Sequence, residues 1–289
     1  MKFFIILLLL FICDSIFSID IIYMSNNDKI SGSIVEMSKE SIIIETEYGK
    51  LKINRTYVTK AELSANFDEN SNTNNILLKY LFDNNIKNTS TIPSTQVVSG
   101  TLTFSTDIDN IEQSCLENRE TGTYISINNN SQLMNYNDFC ICFMICPTDP
   151  NRTQYIFSQW NSTKETQADG KLAISFKKDV LIIYLVDTEG IYHTYTIPNI
   201  IEYNTWQSII INKNNSTLAL FKNNGLIKSI DLGFHDLLQT EATIILLSAR
   251  YRDKDFSSYS YLGKIDQLFF YNKALKENSI SHFYTGKSF

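Results

Sequence analysis

Glycine and proline are scarce in this 289-residue sequence, with 10 and 4 copies respectively. Most turns must therefore be made by asparagine, aspartate and serine. Asparagine and aspartate suit this role because they tolerate left-handed backbone and hydrogen-bond their own main chain. The many apolar residues, 43% of the chain and including 18 Phe and 16 Tyr, provide ample material for the core of a β-sandwich.

Excess positive charge is also lacking. The net charge is −6, the isoelectric point is about 5.2, and no block of lysine and arginine is long enough to follow a phosphate backbone. Nucleic acid is therefore excluded as an expected partner.

No apolar run is long enough to cross a bilayer as a helix. The longest, Phe3 to Ile12, follows Met1 and Lys2 and is typical of a signal peptide. Cleavage after Ser18 would leave Ile19 as the first residue, which predicts an exported protein that is periplasmic, cell-surface or secreted. Acylation of Cys13 is the alternative, and Ile12 argues against it because lipoprotein signals carry a small residue there.

Export permits disulfides, and four cysteines remain beyond Cys13: Cys115, Cys140, Cys142 and Cys146. The last three share one face of a predicted strand, where neighbours two apart lie near the upper limit of disulfide Cα separation. A bridge from Cys115 to one of them is thus favoured over a bridge among them. A thiolate metal cluster is the rival hypothesis, but no histidine or fourth cysteine stands at zinc-site spacing. Free, small apolar side chains with at most one disulfide are the preferred interpretation.

A small β unit is predicted for residues 19–65. Short strands alternate with turns from Asp20 to about Leu63, and Gly32 indicates a bend in the second strand. This order resembles SH3-like or Sm-like barrels, which implies a small β-barrel. A bare antiparallel sheet is the alternative. The polar stretch from Asn66 to Asn75 is predicted to be a linker.

A second domain is predicted for residues 76–286. Phe139, Ile141, Phe143 and Ile145 alternate on one face of a strand. Trp206 opens a hairpin whose turn is assigned to Asn224-Gly225. A closing strand, residues 263–271, has the pattern Gly-x-Ile-Asp-x-Leu-x-Phe-Tyr and leads into a short amphipathic helix.

These three motifs resemble laminin G-like domains with the concanavalin A-like jelly-roll fold. The resemblance implies an all-β sandwich in which Trp206, Ile265, Leu268 and Tyr271 are framework residues. Asp266, an acid in a buried strand, is expected to accept backbone or hydroxyl hydrogen bonds.

The sequence offers no residues for catalysis. Glucanases of this fold carry carboxylates on alternate positions of one strand, and the nearest pair here, Glu45 and Glu47, lies in the small N-terminal unit. Hydrolase, zinc-protease, phosphate-loop and EF-hand motifs are missing, and the three histidines are isolated. We therefore predict that the protein is not an enzyme.

Two loops combine the residue types that polar ligands require. The first, residues 250–259, carries planar donors, acids and an aromatic face. Its candidate ligand-binding residues are Arg250, Arg252, Asp253, Asp255 and Tyr259. In the second loop, Trp160 could stack on a sugar ring and Asp169 could ligate calcium. The alternative is that both loops are solvated hairpin ends.

The sequence thus predicts an exported, non-catalytic binding module for a glycan or a cell-surface protein, with calcium as its expected cofactor and no transmembrane segment. The rival hypotheses are a structural envelope protein that binds no small ligand and a degenerate glycosidase. An exposed Trp160 beside a pocket would favour ligand binding, whereas a broad apolar face would favour assembly.

Overall fold

The computed structural model describes residues 20–26, 28–37, 41–46, 48–62, 76–90, 94–128, 133, 136–160, 170–249 and 256–280. The chain divides into two compact units, Met1–Asp68 and Glu69–Phe289. Strands dominate both units, so the predicted all-β class is confirmed. The predicted signal peptide (residues 1–18), Cys13 and the predicted linker (residues 66–75) lie outside the described residues.

The N-terminal unit contains one antiparallel sheet with the strand order β4-β3-β2-β1-β5. Its strands are β1 (Asp20–Met24), β2 (Lys29–Met37), β3 (Ser41–Thr46), β4 (Gly49–Asn54) and β5 (Val58–Glu62). Ile22, Ile42, Ile44 and Ile53 form its core. Among the described residues β4 and β5 do not pair, so the barrel stays a prediction.

The larger unit contains two sheets. The first has seven strands in the order β15-β14-β13-β12-β19-β10-β7. They are β7 (Gln96–Ser99), β10 (Tyr124–Ile127), β12 (Gln154–Trp160), β13 (Gly170–Lys177), β14 (Val180–Val186), β15 (Tyr192–Ile197) and β19 (Ile244–Leu246).

The second sheet has eight strands, in the order β18-β17-β16-β11-β20-β9-β8, with β6 also paired to β20. They are β6 (Ile76–Tyr80), β8 (Thr103–Ser105), β9 (Cys115–Asn118), β11 (Phe139–Pro147), β16 (Gln207–Asn214), β17 (Thr217–Lys222), β18 (Gly225–Asp231) and β20 (Gly263–Tyr271). Three short helical segments complete the elements described: 3₁₀ turns at Arg55–Tyr57 and Phe256–Tyr259, and the helix α1 (Glu277–Ile280).

The inner faces of the two sheets share one hydrophobic core. The four alternating residues predicted on β11 all belong to it, as do Ile265 and Leu268 of β20. Phe270 packs edge-on against Phe157 of the opposite sheet, with ring centroids 5.2 Å apart. Alternation in the sequence therefore predicted the core face of β11 correctly.

Two framework details differ from the sequence prediction. Trp206 is only partly buried and precedes β16, which begins at Gln207. The positive φ angles of the β17–β18 hairpin fall at Asn223 (49°) and Asn224 (70°), one residue earlier than assigned, so Gly225 already belongs to β18. Asparagine can occupy both left-handed positions, and the side chain of Asn223 also accepts a hydrogen bond from the backbone N–H of Ser208.

The four described cysteines are free thiols. The favoured bridge from Cys115 is absent: this side chain donates instead to the carbonyl oxygen of Thr106. The Sγ atoms of Cys140 and Cys142 lie 3.6 Å apart on the outer face of β11. The preferred interpretation, free thiols as small apolar side chains, agrees with this arrangement.

Among the described residues, no helix has the length and apolar character needed to cross a membrane.

Candidate ligand-binding site

A shallow groove lies on the outer face of the seven-stranded sheet. On β13, Leu172, Ile174 and Phe176 face the core, so Ala173 faces outward. Across the strand pair, Ala173 is paired with Ser158 of β12. Two small neighbouring side chains therefore form a low floor in the middle of the sheet.

Aromatic side chains surround this floor. Tyr155 and Tyr184 stack with ring centroids 6.1 Å apart, and Tyr184 stacks on Tyr192 at 5.5 Å. Trp160 meets Tyr192 edge-on at 5.4 Å. Tyr259 meets Tyr155 edge-on at 5.5 Å. All five rings are partly exposed, so the groove presents flat apolar surfaces with polar tips to solvent.

Gly170 fixes the position of Trp160 in this aromatic groove. A Cβ atom at Gly170 would come within 2.1 Å of the indole ring, so only glycine allows this packing. The strand pairing shifts at the same point, because Gln159 pairs with Leu172 while Trp160 pairs with Gly170. Lys171 lies at this bulge, between the two paired positions.

Lys171 is fully buried, and its Nζ lies 3.8 Å from the centroid of the Tyr136 ring. Burial, with a smaller contribution from the charge of Lys213, lowers its pKa to about 7. Its cationic form is therefore disfavoured beside the Tyr136 ring.

The described lining of the groove is electrically neutral. No described residue that lines it carries a formal charge: they are Tyr155, Ser158, Trp160, Ala173, Tyr184, Tyr192 and Ala249. Burial raises the pKa of Tyr155, and the neighbouring Tyr184 raises it further. The free space is about 270 Å³, part of it open to solvent. The enclosed part measures only about 10 Å³, so the groove is a shallow surface on which a ring would lie and not a cavity that it would enter.

The structure brings together two of the residues predicted from the sequence. Trp160 lines the groove and Tyr259 stands at its edge beside Tyr155. Arg250, Arg252, Asp253, Asp255 and Asp169 lie outside the described residues. The segment of residues 250–255 follows Ala249, a groove residue, and precedes the 3₁₀ turn that carries Tyr259.

Sequence reasoning missed Tyr155, Tyr184 and Tyr192. A usable signal existed for Tyr184, because Leu181, Ile183 and Leu185 alternate toward the core and leave the tyrosine on the outer face. No local pattern identifies Tyr155 and Tyr192, because their rings come close to Tyr184 only through the pairing order of the strands.

Asp187 and His193, at the turn between β14 and β15, have structural partners. His193 Nε2 lies 2.8 Å from Asp187 Oδ2, and its ring stacks on Phe234. Burial alone would raise the pKa of Asp187, but hydrogen bonds from His193, Ile191 and Glu189 lower it overall. This pair braces the turn before β15.

Asp266, on the outer face of β20, accepts a hydrogen bond from the backbone N–H of Gln267, as expected. Burial raises its pKa to about 8, helped by the charges of Asp107 and Asp83. No group of three or more histidine, cysteine, aspartate or glutamate side chains among the described residues is arranged to hold a metal ion.

Solved structures with this architecture include three botulinum neurotoxin fragments. The serotype G binding domain has a TM-score of 0.56, 16% identity, and covers 73% of this chain and 50% of its own. The receptor binding domain of botulinum neurotoxin D has a TM-score of 0.58 and 17% identity, and the match covers 74% of this chain and 53% of that domain. The serotype D ligand binding domain in complex with N-acetylneuraminic acid has a TM-score of 0.59 and 17% identity, and the match covers 75% of this chain and 52% of that domain. At this identity the likeness shows the fold, and the chain spans about half the length of the chains it matches.

No curated protein sequence matches the chain. The sequence model of the concanavalin A-like lectin/glucanases superfamily, in its laminin G-like form, matches residues 119–281, which is more than half of the chain. That range contains the sandwich strands from β10 to β20 and both aromatic residues predicted as ligand contacts. The chain belongs to the laminin G-like family of the concanavalin A-like lectin/glucanases superfamily.

Proposed function

We propose that this protein is an exported, non-catalytic binding module that holds a neutral sugar ring in the aromatic groove. The observation that carries the proposal is the groove itself: five partly exposed aromatic rings around a floor of Ser158 and Ala173, with no charged lining residue among those described. Flat aromatic faces with polar tips suit a ring that has apolar C–H faces and hydroxyl edges.

The serotype D neurotoxin domain in complex with N-acetylneuraminic acid supports the binding class. It does not identify the sugar, because this chain matches only about half of that domain. The absence of formal charge in the described lining favours a neutral sugar for this chain. An acidic one would need cationic partners such as Arg250 or Arg252.

The test is a glycan array on the full chain, followed by titration of the best ligand against variants. Trp160→Ala and Tyr184→Ala should each weaken binding by at least about tenfold, because a central aromatic ring contributes roughly 1.4 kcal/mol or more. Tyr48→Ala is the matched control, since Tyr48 is 91% exposed on the N-terminal unit and should leave affinity unchanged. Binding that survives both groove variants would contradict the proposal.

Calcium is tested in the same titration. Because the sequence predicts Asp169 as a calcium ligand, we expect binding to fall when a chelator is added and when Asp169 is changed to asparagine. Equal affinity with calcium and with chelator would show that sugar binding does not need calcium, and the proposal that the groove binds the sugar would still stand. Export is tested separately by the N-terminus of the chain recovered from its host, which should be Ile19.

A second candidate function, assembly with another protein, is favoured by the edge strand β7. Among the described strands it ends the seven-stranded sheet, and Val97 and Val98 are 56% and 41% exposed there. An exposed apolar edge can pair with a further strand. Val97→Lys should abolish a protein complex formed in this way without changing affinity for the sugar, which separates the two functions.

A further inference from the structure

The floor of the aromatic groove carries one side-chain hydroxyl. Ser158 and Ala173, paired across β12 and β13, line the groove and are 1% and 3% exposed. Both face outward, because Phe157 and Ile174 beside them in the chain belong to the core. Ala173 has no polar side-chain atom, so Ser158 Oγ is the polar side-chain atom of the floor.

This hydroxyl is unpartnered among the described residues. None of them forms a hydrogen bond with Ser158 Oγ, although the side chain is almost fully buried. A buried hydroxyl without a partner costs free energy, and a ligand atom that bonds to it would remove this cost. Ser158 therefore indicates that a polar atom of the ligand reaches the floor.

The space above the floor fits one small group. Only about 10 Å³ of the groove is enclosed, which is about the space that one water molecule needs. A well-held water molecule has two to four polar partners, whereas the two floor side chains offer one hydroxyl. A hydroxyl of the ligand has the right size for this depression and can replace the hydrogen bond of a water molecule there.

The rim prevents a sugar ring from entering edgewise. Tyr184 stacks between Tyr155 and Tyr192, with ring centroids 6.1 Å and 5.5 Å apart. A ring inserted between two aromatic faces needs about 7 Å, since each carbon–carbon contact takes about 3.5 Å. Trp160 packs on Gly170 and meets Tyr192 edge-on. A sugar ring that contacts several of these side chains therefore lies across the rim, with its plane along the sheet.

The orientation of each sugar hydroxyl then decides what it can reach. In a chair-shaped ring, equatorial hydroxyls lie near the ring plane, and axial hydroxyls stand perpendicular to it. Equatorial hydroxyls remain at the level of the rim, where the tyrosine hydroxyls and the indole N–H are available. An axial hydroxyl points into the depression toward Ser158. A serine hydroxyl both donates and accepts, so it can bond to this group in either direction.

We propose that Ser158 makes the groove selective for a sugar ring with an axial hydroxyl, which enters the depression and bonds to the serine. This inference rests on the proposed function, because it requires a sugar in the aromatic groove. A ring that has equatorial hydroxyls alone covers the depression and leaves Ser158 Oγ unpaired. A site with an unpaired polar group discriminates against the ligand that lacks the matching hydroxyl.

The test compares four methyl β-glycosides by ligand-observed NMR titration of the full chain. The glucoside has only equatorial hydroxyls, whereas the mannoside, the alloside and the galactoside each turn one hydroxyl axial, at C2, C3 and C4. At least one of these three should bind about three- to tenfold more tightly than the glucoside, which is the effect of one net hydrogen bond. Equal or weaker binding by all three would overturn the inference.

Variants assign the preference to Ser158. Ser158→Ala should lower the affinity for the axial sugar by about three- to tenfold and leave the affinity for the glucoside unchanged. Ser175→Ala is the matched control, because Ser175 is a second unpartnered, fully buried serine on the outer face of β13 and does not line the groove. It should keep the preference.

Two outcomes separate this inference from the proposed function. A preference that survives Ser158→Ala would refute the role of the serine, while sugar binding that depends on Trp160 would still support the groove. If none of the four glycosides binds, the inference fails, and the glycan array then tells whether the proposed function fails with it.

Discussion

The outer faces of the two sheets differ sharply, although both belong to one sandwich. The face of the seven-stranded sheet carries tyrosine and tryptophan rings that stay partly exposed. The face of the eight-stranded sheet carries Phe269 and Tyr271 with the thiols of β11, and Leu275 and Ile280 pack over them. Side chains with polar tips can face water, whereas a contiguous apolar face must be covered. The character of the alternate residues thus decided which face could stay partly exposed to water.

The largest loss of stability is expected from a variant that uncovers the outer face of the eight-stranded sheet. The amide of Asn212 donates to the carbonyl oxygen of Leu275 at 3.0 Å and accepts from its N–H at 2.9 Å. Asn212→Ala leaves both backbone groups buried without partners and should lower the free energy of unfolding by about 2–5 kcal/mol. Ser158→Ala, on the floor of the groove, is the control and should change it by less than about 1 kcal/mol. Urea unfolding measures both, and equal losses would remove the contrast between the faces.

The next prediction concerns Asp266 and pH. Because its pKa is raised to about 8, the folded chain keeps a proton that the unfolded chain releases near its ordinary value of 3.8. Its contribution to stability is therefore full below that value and is lost as pH rises toward 8, by an amount on the order of a few kcal/mol. Asp266→Asn, which stays neutral, should flatten this decline in urea unfolding series. A decline of the same slope in the variant would refute the assignment.

For Lys171, in the seven-stranded sheet, the change of stability with pH should have the opposite sign. Its pKa is lowered to about 7, so the unfolded chain, with an ordinary value of 10.5, binds the extra proton between these limits. Stability should therefore rise with pH from about 7 upward. Lys171→Met should lose this rise relative to the unchanged chain, measured as the difference between their unfolding free energies at each pH. If the difference in unfolding free energy between the two chains is the same at every pH, the charge of Lys171 does not destabilise the fold.

The smallest effect is expected from Tyr184→Phe. The change keeps the ring that stacks on Tyr155 and Tyr192 and removes only the hydroxyl. We expect a change in unfolding free energy of about 1 kcal/mol or less. Isothermal titration with the array-selected sugar then tells whether the hydroxyl or the ring carries affinity. A loss of sugar affinity as large as that of Tyr184→Ala would show that the hydroxyl contributes by hydrogen bonding and that ring stacking contributes little.

Much of the fold could be predicted because alternation is a local property. The strict period of two on β11 fixed both its core face and the grouping of Cys140 with Cys142. The closing strand β20 and the helix after it were also recognisable, since their apolar residues and turn residues lie close together in sequence.

The groove could not be predicted in the same way. Tyr155, Tyr184 and Tyr192 come from β12, β14 and β15, and they meet only because β13 separates β12 from β14 with small outward side chains. Bulges add a second difficulty: Gln267 at φ 48° and Lys171 each break the period of two. Register between distant strands is set by packing, so a local pattern does not reveal which rings share a site.

The position of β20 has a consequence for the order in which the larger unit forms. This strand lies between β11 on one side and both β6 and β9 on the other, so it links strands that are far apart in the chain. Synthesis must therefore reach Tyr271 before β6 and β9 can join their sheet. Long-range closure of this kind makes folding slow, and strand edges stay open meanwhile. A nascent chain of this protein thus remains a substrate for chaperones until its closing strand emerges.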